Sequence, residues 1–139
     1  MQRDSGFTLL ELLAVIVILG VLAATAFSRF NYSFADLQRS RDDTVAALFF
    51  AQQVAMARDS STNAVRFVST ANSISVTENG SALTNGNIQY PLSLPAGVTV
   101  TAATLDFDKL GRIAAATTLA ITSGSDSVNV TISESGYAR

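Results

Sequence analysis

Hydrophobic positions change their spacing twice along this chain. From Phe7 to Phe27 the sequence reads FTLLELLAVIVILGVLAATAF, apolar on every helical face, with Glu11 as its only charge. A surface helix of a soluble domain keeps a polar face, and this segment has none. At 1.5 Å per residue it spans roughly 31 Å, close to the thickness of a bilayer's hydrocarbon layer. The pattern predicts a membrane-spanning helix or a secretory signal over residues 7–27.

Beyond Phe27 the apolar positions thin to a stripe. Phe30, Phe34, Leu37, Val45, Leu48, Ala51 and Ala55 recur largely in steps of three and four, as on one face of a helix. Arg39, Arg41, Asp42, Asp43 and Gln52 lie between them and read as a solvated exterior. No Pro or Gly interrupts Ser28 to Asp59, and Asp59, Ser60, Ser61 and Asn63 supply a stop. An amphipathic helix is therefore expected over 28–59, continuous with the first and roughly 80 Å long in all.

From Ala64 onward the period becomes two. Val65 and Phe67, Ile74 and Val76, Val98 and Val100, Leu105 and Phe107, Leu119 and Ile121, and then Val128, Val130 and Ile132 alternate with polar residues. Asn79-Gly80, Asn85-Gly86, Pro95-Ala96-Gly97 and Ser123-Gly124 punctuate them, predicting about six or seven short antiparallel strands. The expected fold class is α+β. A long N-terminal α-helix, membrane-spanning in its first half and amphipathic in its second, packs on a C-terminal antiparallel β-sheet head over residues 60–139.

Composition narrows the chemistry. The 139 residues suffice for one domain plus attachments. The net charge of -2 argues against nucleic acid or anionic lipid as an electrostatic partner. The chain has no Cys and no His, which removes disulfides, thiol nucleophiles, Ser-His-Asp catalysis and the usual zinc and haem sites. No carboxylate pair is placed by sequence for a general acid–base reaction, so the protein is expected not to be an enzyme and to need no cofactor. Asp106 and Asp108 form a D-x-D like the opening of a calcium loop, but the later ligands are missing. The pair reads as a solvated hairpin, and no metal site is expected.

Arg3 and the small-x-small run Ala24-Thr25-Ala26 allow a cleaved secretory signal. Glu11 opposes it, because a carboxylate within an inserted helix costs about 2.5 to 3.5 kcal/mol on insertion scales. The nearly neutral leader MQRDSG and the helical pattern beyond Ala26 oppose it too. Gly6-Phe7-Thr8-Leu9-Leu10-Glu11, followed by the apolar run, resembles instead the processing motif of type IV pilins and of the pseudopilins of type II secretion.

That resemblance implies a leader of residues 1–6, cut between Gly6 and Phe7 by a prepilin peptidase, and N-methylation of Phe7. Glu11 becomes the fifth residue of the mature chain and the assembly residue. The Phe7 amine, with a reference pKa of about 7.7 to 8.0, is a cation whose burial is eased by a nearby carboxylate. The resemblance pairs Glu11 with the amine of a neighbouring subunit; pairing with its own amine, four residues away on one helix, is the alternative. Gly20 begins a small-xxx-small spacing with Ala24 that suits close helix approach. By resemblance Gly20 also marks where the helix loosens, with a Pro eight residues on, where this chain has Ser28. Ser is a poorer helix former than Ala and can still bend the chain.

Phe107-Asp108-Lys109-Leu110-Gly111-Arg112, the closing Gly136-Tyr137-Ala138-Arg139 and the helical segment Ala46 to Arg58 resemble GspH/FimT-type minor pilins, which include the MshC-type minor pilin of mannose-sensitive haemagglutinin pili. The resemblance implies a structural subunit of a type IV pilus or type II secretion pseudopilus, set in an initiating or tip complex. Its partners would be other pilin or pseudopilin subunits, the prepilin peptidase and the inner-membrane assembly machinery. Before assembly it would sit in a bacterial inner membrane by a single pass, with its head in the periplasm. Two alternatives stand beside this: a DNA-uptake minor pilin, with Arg112 and Arg139 as candidate nucleic-acid contacts, and a single-span anchored binding domain that never polymerises.

Overall fold

The computed structural model describes residues 9–27, 32–58 and 64–139. The chain divides into two units, Met1–Asn31 and Tyr32–Arg139. In the first, Leu, Val, Ile and Ala form helix α1 (Leu9–Phe27), 19 residues with Glu11 in its first turn. Acidic groups suit a helix start, where unpaired N–H groups carry partial positive charge. The helix is about 28 Å long. No helix among the described residues is long and apolar enough to cross a membrane. The expected span over 7–27 is met only as a helix over 9–27, slightly short of a hydrocarbon layer of about 30 Å and carrying a carboxylate. Phe7 and Thr8 lie outside the described residues.

The second unit begins with α2 (Tyr32–Ala57). Leu37, Ser40, Thr44, Ala47, Leu48, Ala51 and Ala55 are buried, in the expected steps of three and four. Two members of this face are hydroxyls that the apolar pattern did not reveal. Ser40 Oγ donates to Asp36 O (2.8 Å) and Thr44 Oγ1 to Ser40 O (2.7 Å), so each satisfies itself within the helix and can be buried. Two side chains depart from the expected faces. Phe34 is 56% exposed, lying at the start of the helix, while Gln52 is half-buried. Phe30 and Ser28 lie outside the described residues, as do the junction of the two helices and the expected stop at 59–63.

Ten strands follow in chain order: β1 (Val65–Thr70), β2 (Ser73–Glu78), β3 (Ser81–Ala82), β4 (Thr84–Asn85), β5 (Ile88–Gln89), β6 (Leu92–Ser93), β7 (Val98–Val100), β8 (Ala103–Phe107), β9 (Thr117–Ser123) and β10 (Asp126–Ile132). The six longer ones are those the alternation predicts. The four two-residue strands are too short to show a period, and three of them are wholly exposed. All pairings are antiparallel. One sheet runs β3-β2-β1-β8 with β6 also on β2; a second runs β10-β9-β7; β4 and β5 form a ribbon. Asn79 (φ 51) and Gly80 (φ 83) make the two-residue turn between β2 and β3, matching the twist of the hairpin.

Helix α2 packs on both larger sheets. Phe67, Ile74, Leu48, Leu119, Ile121 and Ile132 form the centre of their shared core. The chain passes from the second sheet to the first between β7 and β8. There the buried Ser69 hydroxyl donates to Thr101 O (2.7 Å) and accepts from Ala103 N (2.9 Å), while Thr101 N donates to Ala120 O (2.9 Å). Thr101, between the two strands, is thus tied to β1 of the first sheet through Ser69 and to β9 of the second through Ala120.

Candidate functional site

The sequence places the first candidate site on the N-terminal helix. Gly6, Phe7 and Ser28 lie outside the described residues. Glu11 stands exposed in the first turn of α1. Around and beyond it, Leu9, Leu12, Ile16, Leu19 and Leu22 are all more than half exposed, and so are residues on the opposite side such as Val17, Ile18 and Val21. The helix therefore offers apolar surface all round with one carboxylate near its start. A Cβ on Gly20 would touch nothing within 4 Å. In the described structure this Gly leaves room on the helix surface, as close helix approach requires.

In the second unit, two turns meet on α2. The segment Asp108 to Arg112 closes through Asp108 N to Arg112 O (2.9 Å) and Gly111 N to Asp108 O (2.8 Å). The Asp108 carboxylate reaches back over the turn, accepting from Leu110 N (2.9 Å), Arg112 N (2.8 Å) and Arg112 Nε (3.0 Å). The Arg112 backbone N–H is the main cause that holds this carboxyl below its ordinary value of 3.8. Desolvation opposes it, and the Arg112 guanidinium and Leu110 N–H add to it. A second turn at 133–137 closes through Gly136 N to Ser133 O (2.8 Å) and Ser133 N to Tyr137 O (3.0 Å).

Gln52 ties both turns to the helix. Its Nε2 donates to Gly111 O and to Ser135 O, each at 3.0 Å. One amide has two N–H groups, so a single side chain can satisfy two carbonyls. Both turns use a left-handed Gly, Gly111 at φ 73 and Gly136 at φ 80. A Cβ on Gly111 would come within 2.7 Å of Gln52 Cγ, and one on Gly136 would run into the carbonyl oxygen of Gly111. The Gly-Arg and Gly-Tyr motifs are therefore steric requirements of one junction. Reading Gln52 as solvated surface missed this. The available signal was that two distant Gly turns each need an anchor.

The remaining candidates are dispersed over the second unit. Arg112 is engaged by Asp108. The backbone of Arg139 pairs with Thr131 in both directions, 3.0 and 2.9 Å, which extends the edge of β10. Asp106, at the end of the D-x-D away from the turn, pairs with Arg66 on β1. The two aspartates thus face separate arginines, and no group of three metal-ligating side chains occurs among the described residues. Tyr137 is 57% exposed and sets its ring edge-on to Phe49, centroids 6.1 Å apart. Tyr90 is buried and stacks on Phe50 at 6.0 Å. Burial is the main cause that raises its hydroxyl's pKa, with the nearby Asp43 charge adding to it.

With this geometry in view, comparison with known proteins separates the two ends of the chain. Residues 1–27 match the family model of the prokaryotic N-terminal methylation motif. The match supports a type IV pilin-like prepilin leader, and with it a pilin-like processed subunit. No curated protein and no solved structure matches the chain.

Proposed function

We propose that the protein is a structural minor pilin or pseudopilin of the GspH/FimT/MshC kind, without enzymatic activity of its own. It is made as a precursor, held in a bacterial inner membrane by the N-terminal helix with its head in the periplasm, cut after Gly6 and methylated on Phe7. It then joins other pilin or pseudopilin subunits through the inner-membrane assembly machinery, in the initiating or tip complex of a filament. The observation that carries this reading is α1 itself. Its apolar side chains are exposed on every face and it bears one carboxylate, within a segment that matches the methylation motif.

The physics of such a subunit is an exchange of surroundings. An apolar helix gains little hydrophobic free energy on leaving lipid for a helix bundle, because lipid is already apolar. Packing and the charge pair between Glu11 and a Phe7 amine then decide which neighbour is accepted and in what register. The fold of the second unit supports the head assignment, since its α2 carries both sheets. Arg112, already neutralised by Asp108, gives the DNA-uptake alternative little to stand on.

Expression of the full chain with a prepilin peptidase, followed by mass spectrometry of the mature N-terminus, tests the reading. N-methylated Phe7 is expected; an intact leader indicates a non-polymerising anchor, and a start at Phe27 an ordinary signal. In the same cells Glu11→Ala is expected to be expressed and processed but to be depleted from sheared filaments. Incorporation equal to the parent removes Glu11 from assembly.

A further inference from the structure

The first sheet ends in β8, which among the described residues pairs with β1 and with no other strand. Which of its peptide groups face outward follows from the ladder. Asn79 N donates to Ala64 O (3.0 Å) at the end of the β1–β2 pairing. Even-numbered residues of β1 therefore turn their peptide groups toward β2, and odd-numbered ones toward β8. In the β1–β8 register Val65 faces Phe107 and Phe67 faces Leu105. The N–H and C=O groups of Thr104 and Asp106 are left on the outer edge, with no strand beside them.

Two adjoining hollows run along that edge. One, of about 250 Å³, lies between Thr104 to Asp106 and the segment Ile113 to Ala115. The other, of about 670 Å³, borders the same Asp106 and Ile113 and continues to Arg112, Glu134 and Ser135. With about 3.4 Å per residue, 4.8 Å between strands and 10 Å between sheets, an extended residue takes up about 160 Å³, so the smaller hollow, beside Thr104, holds one to two and the larger, beside Glu134, about four. The buried Leu105 lines the smaller hollow, and the buried Ile113 lines both. Natural edges are commonly blunted by Lys, Pro or a bulge, and the outward positions here are Thr and an Asp engaged by Arg66.

Charge selects the occupant. Asp106 and Asp108 are both answered by arginines, Arg66 and Arg112. The exposed Glu134 has no ion pair among the described residues, so the hollow keeps one uncompensated carboxylate. We propose that the outer edge of β8 is a docking site for an extended, basic segment of another polypeptide, which adds as a strand on Thr104 and Asp106 and sets a Lys or Arg against Glu134. Main-chain hydrogen bonds supply the affinity in this mode and the charge supplies the choice. The proposal does not depend on the chain's polymerising.

The full chain in detergent micelles is titrated with the acetylated, amidated peptide Thr-Val-Lys-Val-Thr, with the same peptide carrying Glu for Lys, and with a form N-methylated at alternate residues. Saturable binding of the Lys peptide is expected, with amide exchange at Thr104 and Asp106 slowed about tenfold. The N-methylated form should not bind. Glu134→Gln should weaken binding about two- to five-fold at low salt, the effect of one exposed charge pair. Thr104→Pro should abolish it while leaving the β1 side of β8 intact, because the lost N–H points outward. If Thr104→Pro fails to fold, exchange in the parent and the N-methylated peptide still decide the matter. No saturable binding, equal binding of the Glu peptide, or protection elsewhere overturns the proposal. Concentration-dependent protection of the same two amides without peptide assigns the edge to a second copy and also overturns it.

Discussion

Gln52 illustrates how much one side chain can hold. Replacing it by Leu keeps its bulk but leaves the carbonyls of Gly111 and Ser135 without their donor. The loss should be about 1 to 3 kcal/mol, seen as a lower midpoint in urea unfolding of the full chain in detergent. Gly136→Ala should cost at least as much, since it adds left-handed strain of about 1 to 2 kcal/mol to a clash with the Gly111 backbone. Asp108 adds a pH dependence of defined sign. Its folded pKa lies below the ordinary 3.8, so its stabilising effect is complete above that value and is lost as pH falls through the lowered one. Asp108→Asn should be less stable than the parent at neutral pH, and the gap should close in unfolding measurements below pH 3.8.

At the scale of elements, spacing was an accurate guide where a period had room to repeat. Each of the six longer strands lies where alternate apolar residues put it, and Leu37, Leu48, Ala51 and Ala55 of α2 are buried as their steps of three and four require. What spacing did not reveal has physical causes. Two-residue strands have no period, buried Ser40 and Thr44 satisfy themselves within the helix, and Phe34 is exposed at the start of α2. The candidate site was legible at the N-terminus, where a local motif carries it. The junction at Gln52 was not, since its members are brought together only by tertiary structure. Truncation separates the two kinds of helix position. Leu37→Ala should cost about 2 to 4 kcal/mol, whereas Phe34→Ala should stay within about 0.5 kcal/mol in the same unfolding assay.

Over the whole molecule the two units solve the burial problem differently. The second unit covers its apolar faces internally, with α2 across both sheets and no disulfide to hold them. Its weak point is therefore the crossing between the sheets, where the Ser69 hydroxyl serves two backbone groups at once. Ser69→Ala should cost about 1 to 3 kcal/mol and speed amide exchange in both sheets, which a purely local defect would not do. Helix α1 of the first unit keeps its apolar surface exposed, the form expected of a part whose covering is supplied by other molecules. The junction on α2 also has a consequence in time. Gln52 leaves the ribosome 83 residues before Ser135, an interval of roughly 4 to 17 s at ordinary rates of synthesis. Throughout that wait the helix has been made but its clasp has not, so the junction closes only after the strands of both sheets have emerged.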